Sequence, residues 1–372
     1  MLITILTIIF VIFLFAVLVI GHEFGHFVLA KRNGIKVDEF GLGFPPRIGR
    51  GKQIGETLYT LNWLPLGGFV RLAGEDGAET AVGTFAAAPL WAKSKTLLAG
   101  VVMNLIMAFL ILFVLALTGL PGLGAQFEPS FLHPGYAQPK ELLLGTVGAN
   151  SPAASLGLKR GDYILAANGT SLSSDEQLRD FTSSHAGQTV TLKLRQNGTN
   201  VQTRQVKLRQ PSDQGILGVT TQPVYKLRYS PGEAVIAAAW ITGALFVATV
   251  AAVVGLIIHI PSLIMGLFSS QIPAAAATAS GPVGIIVILT SLSSLGLSYI
   301  FLFMANISVA LAGFNVLPLP ALDGGRLAVA IVRRITKGRI STEAEGIYHG
   351  IGFIALLGLV ALISIYDLRK FF

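Results

Sequence analysis

Gly21-His22-Glu23-Phe24-Gly25-His26 follows directly on an apolar run, residues 2–20, that carries no charge. If one helix continues through both, His22 and His26 stand one turn apart on one face. Two imidazoles so placed can bind one zinc ion, and Glu23 beside them can act as general base toward a water that the metal activates. A five-residue pattern with three fixed positions also arises by chance. Its location gives this one weight, because ionisable side chains in or beside a membrane-length segment are costly unless paired or metal-bound, and so mark function.

The chain has 372 residues, 52% of them hydrophobic and 12% charged, with a mean hydropathy of +0.68. Soluble domains carry about twice that charged share, so the composition calls for an integral membrane protein with some water-facing material. There is no cysteine. That excludes a disulfide framework and leaves any zinc to histidines and carboxylates. The formal charge of +8 comes mainly from loops flanking apolar segments, which suits anionic headgroups and topology determination rather than nucleic acid. The N-terminus has neither a basic n-region nor an A-x-A-like site, so residues 2–20 are expected as a retained helix and not a cleaved signal peptide.

Working outward, the first apolar segment covers residues 2–30 and ends at Lys31 and Arg32. The loop over 31–95 holds nine basic residues, a cytoplasmic signature that places the metal toward that side. Within it, Glu39-Phe-Gly-Leu-Gly-Phe-Pro-Pro and Leu64-Pro-Leu-Gly-Gly-Phe-Val-Arg-Leu break helices and favour strands and turns, so a small hairpin sheet dipping toward the bilayer is expected. Gly41-Leu-Gly-Phe44 spells a PDZ carboxylate loop, but no strand-and-helix pattern of that size surrounds it. A second segment, 96–117, returns the chain to the other side, with Asn104 expected as an interhelical hydrogen-bond donor.

Residues 141–209 are soluble in character. Val190, Leu192 and Leu194 alternate with polar residues, Asn197-Gly198 marks a hairpin turn, and 175–181 forms an amphipathic helix with Leu178 and Phe181 inward. This is a small mixed α/β domain on the non-cytoplasmic side. Further apolar stretches cover 234–268, 298–317 and 347–366, and Arg326, Arg333, Arg334, Lys337 and Arg339 give a second cytoplasmic signature. If the small domain is outside and Asp323 is to meet His22 and His26 inside, an odd number of crossings separates them. Residues 298–317 supply one, so 234–268 is expected to lie along the outer surface as an amphipathic or re-entrant helix, leaving about four spans.

Catalytic zinc usually has three protein ligands and one open position. Asp323 is the candidate third, because Pro318 and Pro320 unwind the preceding segment and Gly324-Gly325 allow close backbone approach. A helix-capping aspartate is the alternative. The His22-Glu23-Phe24-Gly25-His26 helix, the Asn315-Val-Leu-Pro-Leu-Pro-Ala-Leu-Asp-Gly-Gly segment, Pro65-Leu-Gly-Gly68 and Ser280-Gly-Pro-Val-Gly-Ile285 together resemble the site-2 protease family. Within it, the chain is most similar to the bacterial regulator-of-sigma-E intramembrane metalloproteases.

The resemblance covers nearly the whole chain in order. It implies that His22, His26 and Asp323 bind zinc, that Glu23 is the catalytic base, and that Asn315 helps position an unwound substrate. It also implies that 141–209 is a PDZ domain, a reading supported by Gly157-Leu-Lys-Arg-Gly-Asp-Tyr-Ile164 and Asn168-Gly169. Two departures stand out. This chain has room for one PDZ domain where enterobacterial members have two, and Val101 stands where the family's second segment usually has proline.

The expected architecture is thus a polytopic α-helical membrane protein with one inserted PDZ domain and a membrane-associated β-hairpin. Residues 1–120 form the N-terminal membrane half, 141–210 the PDZ domain and 230–372 the C-terminal half. The expected function is a zinc-dependent endopeptidase of the bacterial inner membrane. It would cleave transmembrane segments of single-pass proteins such as anti-sigma factors or remnant signal peptides. Gly67 and Gly68 are the expected substrate contacts in the hairpin loop, an extended substrate adding there as a strand. The lipid bilayer is a partner, a peptide C-terminus at the PDZ domain is another, and nucleic acid is not. An ion or proton transporter, or a silent PDZ scaffold, are the rival classes; a transporter predicts paired broken helices, and no inverted repeat is found.

Overall fold

The computed structural model describes residues 2–75, 81–124, 126–196, 200–210, 215–269, 272–293, 295–336 and 341–371. Two compact units emerge. One comprises Met1–Leu112, Ala239–Thr290 and Phe303–Phe372, the other Phe113–Ala238 and Ser291–Leu302.

In the first unit, α1 (Leu2–Arg32) runs unbroken through the histidine motif. Nothing in its first 20 residues breaks a helix, and Lys31 and Arg32 in its last turn complement the negative end of the dipole. Asn33 then caps the Leu29 carbonyl at 2.7 Å and Gly34 turns the chain at φ 73°. The expected hairpin follows as β1 (Val37–Ile54) and β2 (Thr57–Leu72), joined at Gly55-Glu56 and paired antiparallel with several register shifts. Its base is pinned by Glu39, buried, which accepts from Thr60 Oγ1 and Arg47, both at 2.8 Å. Phe27, Ala30, Ile35, Val37, Leu72 and Phe85 pack the end of α1 against that base.

After α2 (Leu90–Thr118), the second unit is built on an antiparallel sheet. Its strands are β3 (Leu120–Pro121), β4 (Gly135–Val147), β5 (Tyr163–Ala167), β6 (Thr170–Ser171), β7 (Thr189–Gln196), β8 (Asn200–Lys207) and β9 (Val219–Arg228). The helices are α3 (Pro152–Ser155) and α4 (Asp175–Ser184). The order is β3-β9-β4-β5-β7-β8, with β6 on β5.

Alternation works as read: Val190, Leu192 and Leu194 are buried with Leu142, Leu144, Ile164 and Leu208, and α4 adds Leu178 with Phe181 packed on the same core. Ser174 caps α4, accepting from Gln177 N. The Asn197-Gly198 turn lies outside the described residues. The domain is larger than the expected 141–210, because β9 joins the sheet beyond it. Pro223 within β9 argues against a central strand by sequence. It is accommodated because β3 reaches only Lys226 and Leu227 on β9's second edge.

The remaining helices are α5 (Pro231–Ile258), α6 (Ile260–Gly266), α7 (Ala274–Thr278), α8 (Pro282–Ser293), α9 (Leu297–Val316), α10 (Asp323–Ile335) and α11 (Thr342–Phe371). Among the described residues five helices, α1, α2, α5, α9 and α11, are long and apolar enough to cross a membrane. Four were expected. The difference is α5, whose exposed residues include Val235, Ile236, Trp240, Val247, Val254 and Ile258, so it is apolar and not amphipathic. The break in 234–268 falls at His259, with Pro261 in the first turn of α6.

Candidate metal centre

α1 and α2 meet where both lack side chains. A Cβ on Gly25 would lie 2.5 Å from the Ala99 carbonyl oxygen, and one on Gly100 2.4 Å from His26 Nε2. Small residues at such a crossing let membrane helices approach backbone to backbone. Thr96, Gly100 and Asn104 are four residues apart and share one face of α2. That face meets the imidazoles: His26 Nδ1 is 2.7 Å from the Thr96 carbonyl oxygen, and His22 Nδ1 is 3.1 Å from the Asn104 side-chain amide.

Asp323 comes from the other end of the unit. After α9 the chain unwinds through the proline-containing turn, with Ala321 in a left-handed conformation at φ 69° and its N–H donated to His349 Nδ1 at 2.8 Å. Gly324 and Gly325 fit beneath that turn because a Cβ on either would strike backbone: 2.2 Å from the Leu317 oxygen for Gly324 and 1.9 Å from the Leu319 oxygen for Gly325. Asp323 is the first residue of α10, and the N-cap position is Leu322. The carboxylate therefore does not cap the helix. It turns instead to the histidines, with Oδ2 at 3.2 Å from His22 Nε2 and 3.3 Å from His26 Nε2.

The two Nε2 atoms are themselves 3.1 Å apart. Three donor atoms thus form a nearly equilateral triangle, and they are the one group of three or more such residues among the described residues whose ligand atoms converge. A tetrahedral zinc ion about 2.0–2.1 Å from each donor holds its ligands ~3.3–3.4 Å apart. The fit is close. Asp323 Oδ2 is buried without a hydrogen-bond donor, and with Nδ1 of His26 engaged at Thr96 its Nε2 presents a lone pair. Lone pairs that converge in this way call for a cation.

The triangle opens on a cavity of about 360 Å³ lined by Val19, Glu23, Phe69, Val70, Leu311, Asn315 and Arg326, among others. Glu23 is half-buried on this wall, which Val70 of β2 also lines. Gly67 and Gly68 are buried where β2 crosses α1. A Cβ at 67 would meet Val19 at 2.7 Å, and one at 68 would lie 3.9 Å from Glu23 Cγ. Their glycine character serves the hairpin's close approach to the glutamate. All seven site residues singled out from the sequence, His22, Glu23, His26, Asn315, Asp323, Gly67 and Gly68, come to one place, with Gly67 behind the rest. The sequence reading missed Thr96, Gly100 and the Glu75–Arg326 ion pair, which joins the chain after β2 to the first turn of α10.

The profile of Peptidase family M50 matches residues 10–359. This chain belongs to that family. Its M50 relatives include a Clostridium perfringens protein, provisionally named a zinc metalloprotease, 31% identical over 363 residues and spanning 97% of this chain and 98% of its own. The regulator of sigma-W protease RasP of Bacillus subtilis is 28% identical, over 98% of this chain and 99% of its own. A solved PDZ domain of the SdrC-like protein from Listeria monocytogenes aligns with 24% of this chain and 93% of its own at 24% identity, with a TM-score of 0.21. As a member of M50, the site-2 protease family, the chain is a polytopic membrane protein and a zinc-dependent metalloendopeptidase.

Proposed function

We propose that this M50 protein cuts peptide bonds inside the bilayer, within the transmembrane segments of single-pass proteins. In this reading His22, His26 and Asp323 hold the zinc and Glu23 is the base. The observation that carries it is the donor triangle, built on a membrane-length helix and opening on a cavity that Glu23 and Asn315 share. Zinc supplies Lewis acidity there and lowers the pKa of water.

The chain supplies the rest. Glu23 takes the proton from the attacking water and delivers it to the leaving nitrogen. A transmembrane helix hides its carbonyls in internal hydrogen bonds, so the substrate unwinds before cleavage. Asn315 has an amide to offer the freed backbone, and the hairpin beside Glu23 offers strand addition near Gly67 and Gly68. Exposed Phe44, Leu61, Trp63 and Leu64 give the hairpin an apolar surface suited to lipid.

The membrane is the bacterial plasma membrane, with residues 31–95 cytoplasmic by their basic residues and the sheet domain outside. That domain reads as a PDZ module, on Gly157-Leu-Lys-Arg-Gly-Asp-Tyr-Ile164 and the Asn168-Gly169 turn between β5 and β6. It would bind a peptide C-terminus or hold back bulky ectodomains. The Bacillus subtilis relative is named for regulating sigma-W. By that likeness a membrane-bound anti-sigma factor is one substrate class, with remnant signal peptides another.

The test uses purified protein in detergent, a library of single-pass peptides read by mass spectrometry, and zinc content. His22→Ala and Asp323→Ala should lose zinc and cleavage together. Glu23→Gln keeps the shape without the proton acceptor, so zinc stays near one per chain while cleavage falls by about 10² or more. Loss of zinc in Glu23→Gln, or retained zinc and cleavage in Asp323→Ala, would overturn the assignment.

A further inference from the structure

His26 and His22 are met by the same face of α2, one turn above the other. His26 has an evident partner at Nδ1, the Thr96 carbonyl oxygen at 2.7 Å, which as an acceptor fixes the proton on Nδ1 and leaves Nε2 as the donor to a metal. His22 has the Asn104 amide at 3.1 Å from the equivalent atom.

Asn104 is fully buried; as placed, its Nδ2 is the atom 3.1 Å from His22 Nδ1, and its Oδ1 has no hydrogen-bond partner. The two ends of an amide are nearly equivalent in shape, and which faces the ring is decided by the hydrogen-bond network. If the NH2 end faced His22, the ring would accept at Nδ1 and carry its proton on Nε2, pointing at His26 Nε2 and Asp323 Oδ2. If the oxygen faces it, Nδ1–H donates and the Nε2 lone pair joins the triangle. Either orientation leaves one amide end unpaired, so the count of satisfied groups does not choose between them; the tautomer does.

We propose that Asn104 is a positioning residue for the metal centre, its amide oxygen accepting the Nδ1–H of His22 and so presenting the Nε2 lone pair to zinc. This goes beyond an interhelical hydrogen bond, and it rests on the proposed zinc ligands. Asn104 also anchors locally through its backbone, because Ser308 Oγ on α9 donates to the Asn104 carbonyl oxygen at 2.8 Å. The two contacts can be separated.

The experiment is zinc affinity of the full chain in detergent, by chelator competition, with thermal melting as the check on folding. Asn104→Leu removes the acceptor at similar size and should weaken zinc about 10–100-fold, the usual cost of losing a partner behind a metal ligand. Asn104→Asp keeps an oxygen toward the ring and should stay close to the wild type. Ser308→Ala removes the neighbouring contact between helices without touching an imidazole and should leave zinc affinity unchanged. Wild-type affinity in folded Asn104→Leu overturns the proposal, as does a loss in Asn104→Asp equal to that of His22→Ala. Should Asn104→Leu fail to fold, the Asn104→Asp result decides alone. A wild type that takes up no zinc would overturn both this inference and the proposed function, whereas a wild type that binds zinc isolates the failure to Asn104.

Discussion

Gly100 and His26 leave no room for a methyl group between them. A Cβ at residue 100 would stand 2.4 Å from His26 Nε2 and 2.5 Å from His22 Cε1, so the second helix is shaped around the two rings. The atoms threatened are the donors themselves, not the far end of a flexible chain. Gly100→Ala should therefore displace the imidazoles while leaving the helix intact, alanine being the better helix former. Overpacking costs about 1–3 kcal/mol, which placed on the donors is about 5–150-fold in zinc affinity. Chelator competition with unchanged melting is the expected pair of results; unchanged affinity would mean the rings move aside freely.

What could be read beforehand follows from where the information is stored. The helix through His22 and His26 was legible because an uninterrupted apolar run admits little else, and the hairpin because its glycines and prolines exclude a helix. Asp323 was legible as a lone acid beside Pro318 and Pro320. The Thr96-Gly100-Asn104 face was not, since α2 is apolar nearly all round and no periodicity says which side meets α1. Whether α5 crosses was not legible for a related reason: parity speaks for a segment that stays outside, while its residues are simply apolar and long enough to span. β9 was hidden by Pro223, whose exclusion from central strands lapses where the second edge is short.

The turn that delivers Asp323 should be the least tolerant element of the site. Alanine at residue 325 places a methyl 1.9 Å from the Leu319 carbonyl oxygen, and at residue 324 one 2.2 Å from that of Leu317. These obstacles are backbone and cannot rotate away. Gly325→Ala should cost about 3 kcal/mol or more, lowering the melting temperature and zinc content together, unlike Gly100→Ala. A folded Gly325→Ala protein with full zinc would show that α10 can slide without moving its aspartate.

Asp367 is a buried acid with a structural use. Its Oδ2 accepts from Gly281 N and Gly284 N, both at 2.8 Å, at the start of α8. The glycines are required there, as a Cβ on Gly284 would lie 2.7 Å from Asp367 Oδ1. Asp367→Ala strands two buried N–H groups and should destabilise by about 2–4 kcal/mol, while Asp367→Asn still accepts and loses less. Zinc stoichiometry of the protein that remains folded should be unchanged in both. A zinc defect at full stability would place Asp367 in the site instead.

The course of α5 is open to a direct reading. Its 28 residues extend about 42 Å at 1.5 Å per residue, enough to cross ~30 Å of hydrocarbon. Yet if it crosses, the chain must cross again before α9, or Asp323 finishes on the wrong side of the membrane for His22. α8 offers 12 residues for that return, or about 18 Å as a helix, too short to span alone. Parity therefore favours an α5 that stays on the outer side without crossing. Single cysteines are clean reporters in a chain that has none. Probes at Glu233 and Ser269, before and after the helix pair α5 and α6, should both react with an impermeant reagent from outside, as should one at Ser174, while one at Lys52 should not. Labelling of Glu233 without Ser269 would make α5 a full span, and the return crossing would then have to be found between Ser269 and Leu297.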